Sequence, residues 1–300
     1  MKYLWRTLII VLCVFIVIGF ALLSRIIPKS ENKFFTERSQ NLSLVLENDF
    51  DLAKVNHIAI DYGAEDVEIL PSESANLEIK EYMNYDPQEN ELTTLWRTGD
   101  TLEIKEGDTA QPVFSVFGKR KRIEIYIPQD YQDILSVDLG SGQLTIDMDM
   151  KLTELNLNIS SGNVEIGKIE AERTEIDLAS GYVEIEELTG TQNIDVASGN
   201  VEIKLAEGNG TYSCTSGGID MNVSEVTGDI DIDVTSGRIE MELPNDSEFQ
   251  YSSKVSSGSA DTYFDTEETD EDEREAVIGD DPVNKIKVEV TSGNATLDDY

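Results

Sequence analysis

A Ser-Gly pair returns along the second half of the chain, at Ser141-Gly142, Ser161-Gly162, Ser180-Gly181, Ser198-Gly199, Ser216-Gly217, Ser236-Gly237, Ser257-Gly258 and Ser292-Gly293. Successive pairs lie 20, 19, 18, 18, 20, 21 and 35 residues apart. So short and regular a period leaves few folds open. A unit of about twenty residues cannot enclose a core alone and must share one with the units above and below it.

The residues around each pair alternate. In TEIDLASGYVEIEEL, Ile176, Leu178, Val183 and Ile185 are apolar, while Glu175, Asp177 and Glu184 are charged. A period of two belongs to strands with one buried and one wet face. Each repeat therefore reads as strand, Ser-Gly corner, strand, and a return segment anchored by Ile169, Leu188, Leu205 or Leu243. The predicted fold is all-β, a parallel β-solenoid (β-helix) of 18 to 21 residues per coil over residues 136–300. Glycine suits a corner with positive φ or close backbone approach, and the residue before each serine is small as well, for example Ala179, Ala197 and Thr215.

Upstream, HIAIDYGAEDVEIL at 57–70 reads as a degenerate first coil with Gly63 at its corner. LEIKEYM, TLEIKEG and RIEIYIPQD follow as hairpins that cap it, so residues 52–135 form the first coil and an N-terminal hairpin cap. The 35-residue spacing contains residues 265–281, of which ten are acidic and one, Arg274, is basic. That segment is expected to be a mobile acidic loop between the last two coils.

At the N-terminus an apolar run from Leu8 to Leu23 lies between Lys2 and Arg6 on one side and Arg25 and Lys29 on the other. It is long enough to cross a bilayer, so residues 1–27 are read as a transmembrane signal-anchor; a cleaved signal peptide is the alternative. Residues 28–51 are read as a stalk, and the bulk of the chain as extracytoplasmic.

The chain carries 60 Asp and Glu against 23 Lys and Arg, a formal net charge of −37. Such a surface repels nucleic acid and anionic headgroups, which leaves cations, basic peptides, envelope proteins and neutral cell-wall glycans as partner classes. The two cysteines, Cys13 in the apolar run and Cys214 in the repeats, cannot meet if the first lies in the membrane. His57 is the only histidine, so any Ser-His mechanism depends on it alone. Eight serines in one column, with no histidine in the repeats, read as structural. Cys214 aligns with Ile159, Leu178, Val196 and Val234 and reads as core. The one basic run, Lys119 to Arg122, reads as local charge pairing.

Carboxylates recur in register. Glu165, Glu184, Glu202, Asp220 and Glu240 share one outward position, and Asp138, Asp177, Asp195 and Asp233, with Asn158 and Ser213 between them, share another. Unit charges at the coil spacing repel by about 1 kcal/mol in bulk water. The first column is therefore a candidate cation-attracting surface with weak calcium affinity, and calcium or raised salt is expected to raise the melting temperature. The alternative is a solvated face, because side chains on a flat sheet lack the converging oxygen cage calcium prefers. No other cofactor is implied.

The SGNVEI-like coils, the preceding RIEIYIPQDYQDILSVDLGSGQLTI and the closing VIGDDPVNKIKVEVTSGNATL resemble the bacterial "putative adhesin" domain of unknown function, the LiaG-like group, over residues 57–297. The resemblance implies an extracytoplasmic, often membrane-anchored β-solenoid with a non-catalytic role in envelope adhesion or stress sensing. A polysaccharide lyase or hydrolase on a β-helix scaffold is the alternative, but that chemistry needs loops that wall a cleft, and most corners here are too short to build one.

Overall fold

Alternating apolar residues separated by tight corners give strands throughout the computed structural model, which describes residues 42–107, 118–264, 267–270 and 273–299. The segment read as a membrane anchor, Cys13 and most of the stretch read as a stalk lie outside the described residues. Among the described residues no helix is long and apolar enough to cross a membrane.

The N-terminal part holds β1 (Ser43–Asp51), β2 (His57–Tyr62), β3 (Asp66–Ser72), β4 (Asn76–Met83), β5 (Thr94–Thr98), β6 (Thr101–Lys105) and β7 (Lys121–Pro128). The repeats supply β8 (Ile134–Leu139), β9 (Gln143–Ile146), β10 (Met150–Ile159), β11 (Asn163–Leu178), β12 (Tyr182–Val196), β13 (Asn200–Cys214), β14 (Gly218–Val234) and β15 (Arg238–Leu243). At the C-terminal end lie β16 (Phe249–Val255), β17 (Ser259–Thr262), β18 (Glu267–Asp270), β19 (Glu273–Ile278), β20 (Lys285–Val290) and β21 (Asn294–Asp299).

The predicted parallel stacking holds. Residues before the corner stack in one sheet, as Leu157, Ile176, Ile194 and Tyr212 do. Residues after the corner stack in a second, as Leu144, Val164, Val183, Val201 and Ile219 do. The returns pair as well, Met150 beside Ile169 and Ile169 beside Leu188, so the central coils have three faces. The inward residues of all rungs merge into one continuous core. Leu205, expected to anchor its return, is 41% exposed; Ala206 takes the inward place opposite Leu188.

Hydrogen bonds in the corners all run the same way. The Ser161 N–H donates to Gly140 O (2.7 Å), Ser180 to Ser160 O (2.9 Å) and Ser216 to Ala197 O (2.8 Å), each to the rung before it. The serine backbone makes this ladder, and the glycine lets the rungs close. At Gly181 φ is 105°, and a Cβ would stand 2.1 Å from Gly162 O. At Gly217 a Cβ would stand 1.9 Å from Gly199 O.

Both ends depart from expectation in the same sense. The first coil, β2 with β3, is not the terminal rung. β6 pairs parallel with β2, and β7 with β3, so two of the segments expected as hairpins add a further rung beneath it, while β6 also forms the expected antiparallel hairpin with β5. β4 then adds antiparallel to β7, and β1 to β4. Residues 43–51 thus belong to the domain and not to a stalk, because β4 would otherwise be a bare edge.

At the other end β20 lies between β14 and β16, and β21 between β15 and β17. The last coil in sequence is therefore the penultimate rung in space. The stretch expected as a mobile acidic loop instead contains a hairpin, β18 with β19, and β19 pairs antiparallel with β16 from Phe249–Ile278 to Lys254–Glu273. Phe264 packs edge-on against Phe249, with ring centroids 5.0 Å apart, and helps close the core. Ala276 and Ile278 supply the apolar contacts that hold this acidic strand in place.

Candidate functional site

Parallel in-register strands bring the first acidic column together as the spacing predicted. Glu165 pairs beside Glu184, Glu184 beside Glu202, Glu202 beside Asp220, and Asp220 beside Glu240. The like charges are partly relieved from within. Lys204 Nζ stands 2.5 Å from carboxylate oxygens of both Glu184 and Glu186, which hold its pKa above the ordinary lysine range. Arg238 spans Asp220 and Glu240 at 2.9 Å each. The Tyr182 hydroxyl donates to Glu202 and reaches Glu184 at 3.4 Å. Burial, offset in part by Arg238, moves the Asp220 carboxyl up; Glu240 and Glu202 add to the rise.

The carboxylates thus form a row. Among the described residues no group of three or more His, Cys, Asp or Glu is placed to hold a metal ion. Replacing Lys204 with alanine is expected to steepen the rise of melting temperature with added salt, as read by thermal denaturation across a salt series. An unchanged slope would show that Lys204 relieves nothing.

The second column is also in register through Asp138, Asn158, Asp177, Asp195, Ser213 and Asp233. Asn158 donates to Asp138 Oδ1 at 2.8 Å. Burial first, then Glu175 and Asp195, raise the Asp177 carboxyl.

One row further along the same sheet are features the spacing did not single out. Trp96, 69% exposed, pairs opposite Glu103; Glu103 is followed by Ala59, Ser136, Asn156, Glu175, Asn193 and Thr211. His57 Nε2 lies 2.9 Å from Ser136 Oγ, and the Asn156 amide donates to the same oxygen at 3.2 Å. This Ser-His contact lies on an open sheet face. Two shallow cavities, of about 320 and 230 Å³, lie at the C-terminal rungs.

A buried polar cluster closes the first corner. Tyr62 pairs with Leu139 and Asp66 with Gln143, so Glu65 occupies the place that Gly142 holds one rung later. Glu65 is 8% exposed. Its Oε2 accepts the Ala64 N–H, and Glu106 Oε2 accepts the Gly63 N–H, both at 2.9 Å. These carboxylates cap the donor end of the corner ladder much as an N-cap residue serves a helix. Burial, then a hydrogen bond with Glu106, pushes the Glu65 carboxyl up to about 7.

Alongside, Lys121 Nζ pairs with buried Glu81 at 2.6 Å, and Lys119 with Glu91 at 3.0 Å. The Tyr62 hydroxyl meets Thr93 Oγ1 at 2.9 Å. The basic run is thus spent on local pairing, as expected. Cys214 is buried, and burial raises its thiol pKa.

The three-faced parallel stack, its glycine corners and its extra terminal strands can be set beside known proteins. The Toastrack DUF4097 profile matches residues 55–298. This chain belongs to the Toastrack DUF4097 family. None of the curated proteins matches it significantly. The Toastrack fold is similar to that of a solved "putative adhesin" from Parabacteroides distasonis, with 12% identity, 87% of this chain and 98% of that one covered, and a TM-score of 0.50. A "putative adhesin" from Bacteroides fragilis matches at 16% identity over 87% and 98% of the two chains, with a TM-score of 0.46. A "putative lipid binding protein" from Parabacteroides distasonis matches at 17% identity over 86% and 97%, with a TM-score of 0.41. At these identities the likeness concerns the fold alone.

Proposed function

We propose that this Toastrack chain is a non-catalytic adhesion module of the bacterial cell envelope, held at the membrane by residues 1–27 and presenting its repeat domain outside the cell to neutral wall glycan. The observation that carries this reading is the open sheet face that begins at Trp96 and continues through Ser136, Asn156, Asn193 and Thr211. An exposed indole gives a sugar ring an apolar surface to stack on, and the hydroxyl and amide side chains, carried on rungs about 4.8 Å apart and interrupted by Ala59, Glu103 and Glu175, supply hydrogen bonds along an extended polymer. The carboxylate columns turn away acidic polymers and gather cations weakly. His57 and Ser136 serve here as members of the ladder, since a flat face offers no walls to hold a reacting bond.

The test is retention of the purified 42–300 domain on isolated cell wall and on neutral wall polysaccharide. Retention no greater than that of an equally acidic control protein would overturn the proposal. Trp96→Ala is expected to weaken binding about tenfold, the scale of one aromatic stacking contact.

A further inference from the structure

The corner ladder has a direction, and among the described residues its acceptor end is open. Each rung donates N–H groups to the one before it, so its own carbonyls face the next: Val290 O accepts the Ser256 N–H at 2.8 Å, and Gly293 O accepts the Ser259 N–H at 3.1 Å. The equivalent carbonyls of the last rung, on Val255 and Gly258, therefore point where no further rung stands among the described residues. β17 continues this open border. The Ser259 N–H bonds to Gly293 O, just before β21, and the N–H of Tyr263, just after β17, bonds to Leu297 O of β21, so by alternation Ala260 and Thr262 turn their backbone groups outward. The first sheet is extended past β16 by β19 and β18, whereas β17 has β21 as its one strand partner among the described residues. A cavity of about 230 Å³ lies alongside, lined by Ser253, Val255, Gly258, Asp261 and Arg274. Arg274 Nη1 approaches Ala260 O at 3.5 Å, so this outward carbonyl is reached by one long side chain that an incoming strand would have to displace.

We propose that the open border of β17 and its corner takes up an extended, basic segment of another envelope protein as an additional parallel strand. Charge selects the occupant. The exposed position of β17 is Asp261, which continues the acidic column through Thr296 and Glu240. A basic side chain on the added strand would take the position beside Asp261 that Arg238 takes between Asp220 and Glu240. A glycine is required at the added corner, because backbones there approach as closely as at Gly258, where a Cβ would meet Gly293 O at 1.8 Å. A second copy stacked end to end is disfavoured. The donor end of its ladder is already capped by Glu65 and Glu106 and covered by β6 and β7. Strand addition draws affinity from main-chain bonds and specificity from alternate side chains.

The probe is a fluorescent synthetic peptide, Val-Thr-Ser-Gly-Arg-Ile-Lys-Met-Lys-Leu, patterned on the chain's own rung from Val234 to Leu243 with the two outward glutamates changed to lysine. Binding to the full chain in detergent is followed by anisotropy, beside a scrambled peptide of the same composition. Saturable binding of the ordered peptide is expected. Thr262→Pro removes one outward N–H without touching the bonds to β21 and is expected to weaken binding at least tenfold with an unchanged melting temperature. Asp261→Lys, at an exposed position, provides the same test should the proline disturb folding, and is expected to shift preference toward the peptide that keeps both glutamates. Equal binding of the scrambled peptide, no saturable binding, or full affinity in both variants would overturn the proposal.

Discussion

Glu65→Gln is expected to stabilise the domain at pH 8 and to leave it nearly unchanged at pH 4. Because the Glu65 carboxyl is held up at about 7 in the fold, against an ordinary 4.5, the folded chain binds more protons than the unfolded chain between those values. The contribution of Glu65 to wild-type stability is therefore lost as pH rises from about 4.5 to about 7 and stays lost above that. Glutamine is uncharged at every pH, nearly isosteric, and still able to accept the Ala64 N–H while donating to Glu106. The difference between variant and wild type should grow across that window to on the order of 3 kcal/mol. Denaturant titrations at pH 4, 6 and 8 provide the measurement. A constant difference across the three would mean that the carboxyl does not carry its proton into the fold. Glu106, Glu81, Glu91, Lys119 and Lys121 share this region, so the comparison with glutamine matters more than the wild-type profile alone.

Gly217→Ala is expected to cost on the order of 3 to 5 kcal/mol, whereas Gly167→Ala should be close to neutral. A Cβ at position 217 would stand 1.9 Å from Gly199 O and 2.9 Å from Val196 Cγ1, so two rungs would have to part. At position 167 the nearest atom, Ile146 O, is 3.8 Å away, and the lower chain entropy of alanine can even help. Large losses from single substitutions need a mechanism such as overpacking between backbones, and the corner supplies it. Equal melting temperatures for the two variants would show that the rungs are not held this close.

The repeat region was legible because one physical demand recurs in it. A glycine every eighteen to twenty-one residues, flanked by alternating Ile and Val, has little to specify except a close corner between parallel strands. The acidic column followed from the same register, and so did the burial of Cys214. What did not follow was order in space. Nothing in KIKVEVTSGNATL shows that it slots between two earlier rungs and not after them, because every rung offers the same pattern to its neighbours. The acidic stretch near residue 270 was misread for a related reason. Its charge masked Ala276 and Ile278, and two apolar anchors suffice once β16 offers an edge. Trp96 and Glu65 lay outside the period altogether. Trp96 gave no alternation signal because it is the outward residue of an edge strand. Glu65 gave none because a carboxylate where a glycine is expected looks like a broken repeat, and its partner Glu106 lies 41 residues away.

The placement of β20 and β21 has a consequence for how the protein is made. The segment from Phe249 to Thr262 cannot find its stacking neighbours until residues 285–299 have been made, so the rung that is last in space closes only after this later strand pair has slotted in beside it. A premature stop just before Lys285 would therefore strip away one strand pair and leave a second stranded, with its inward Phe249, Tyr251 and Ala260 bared to protease.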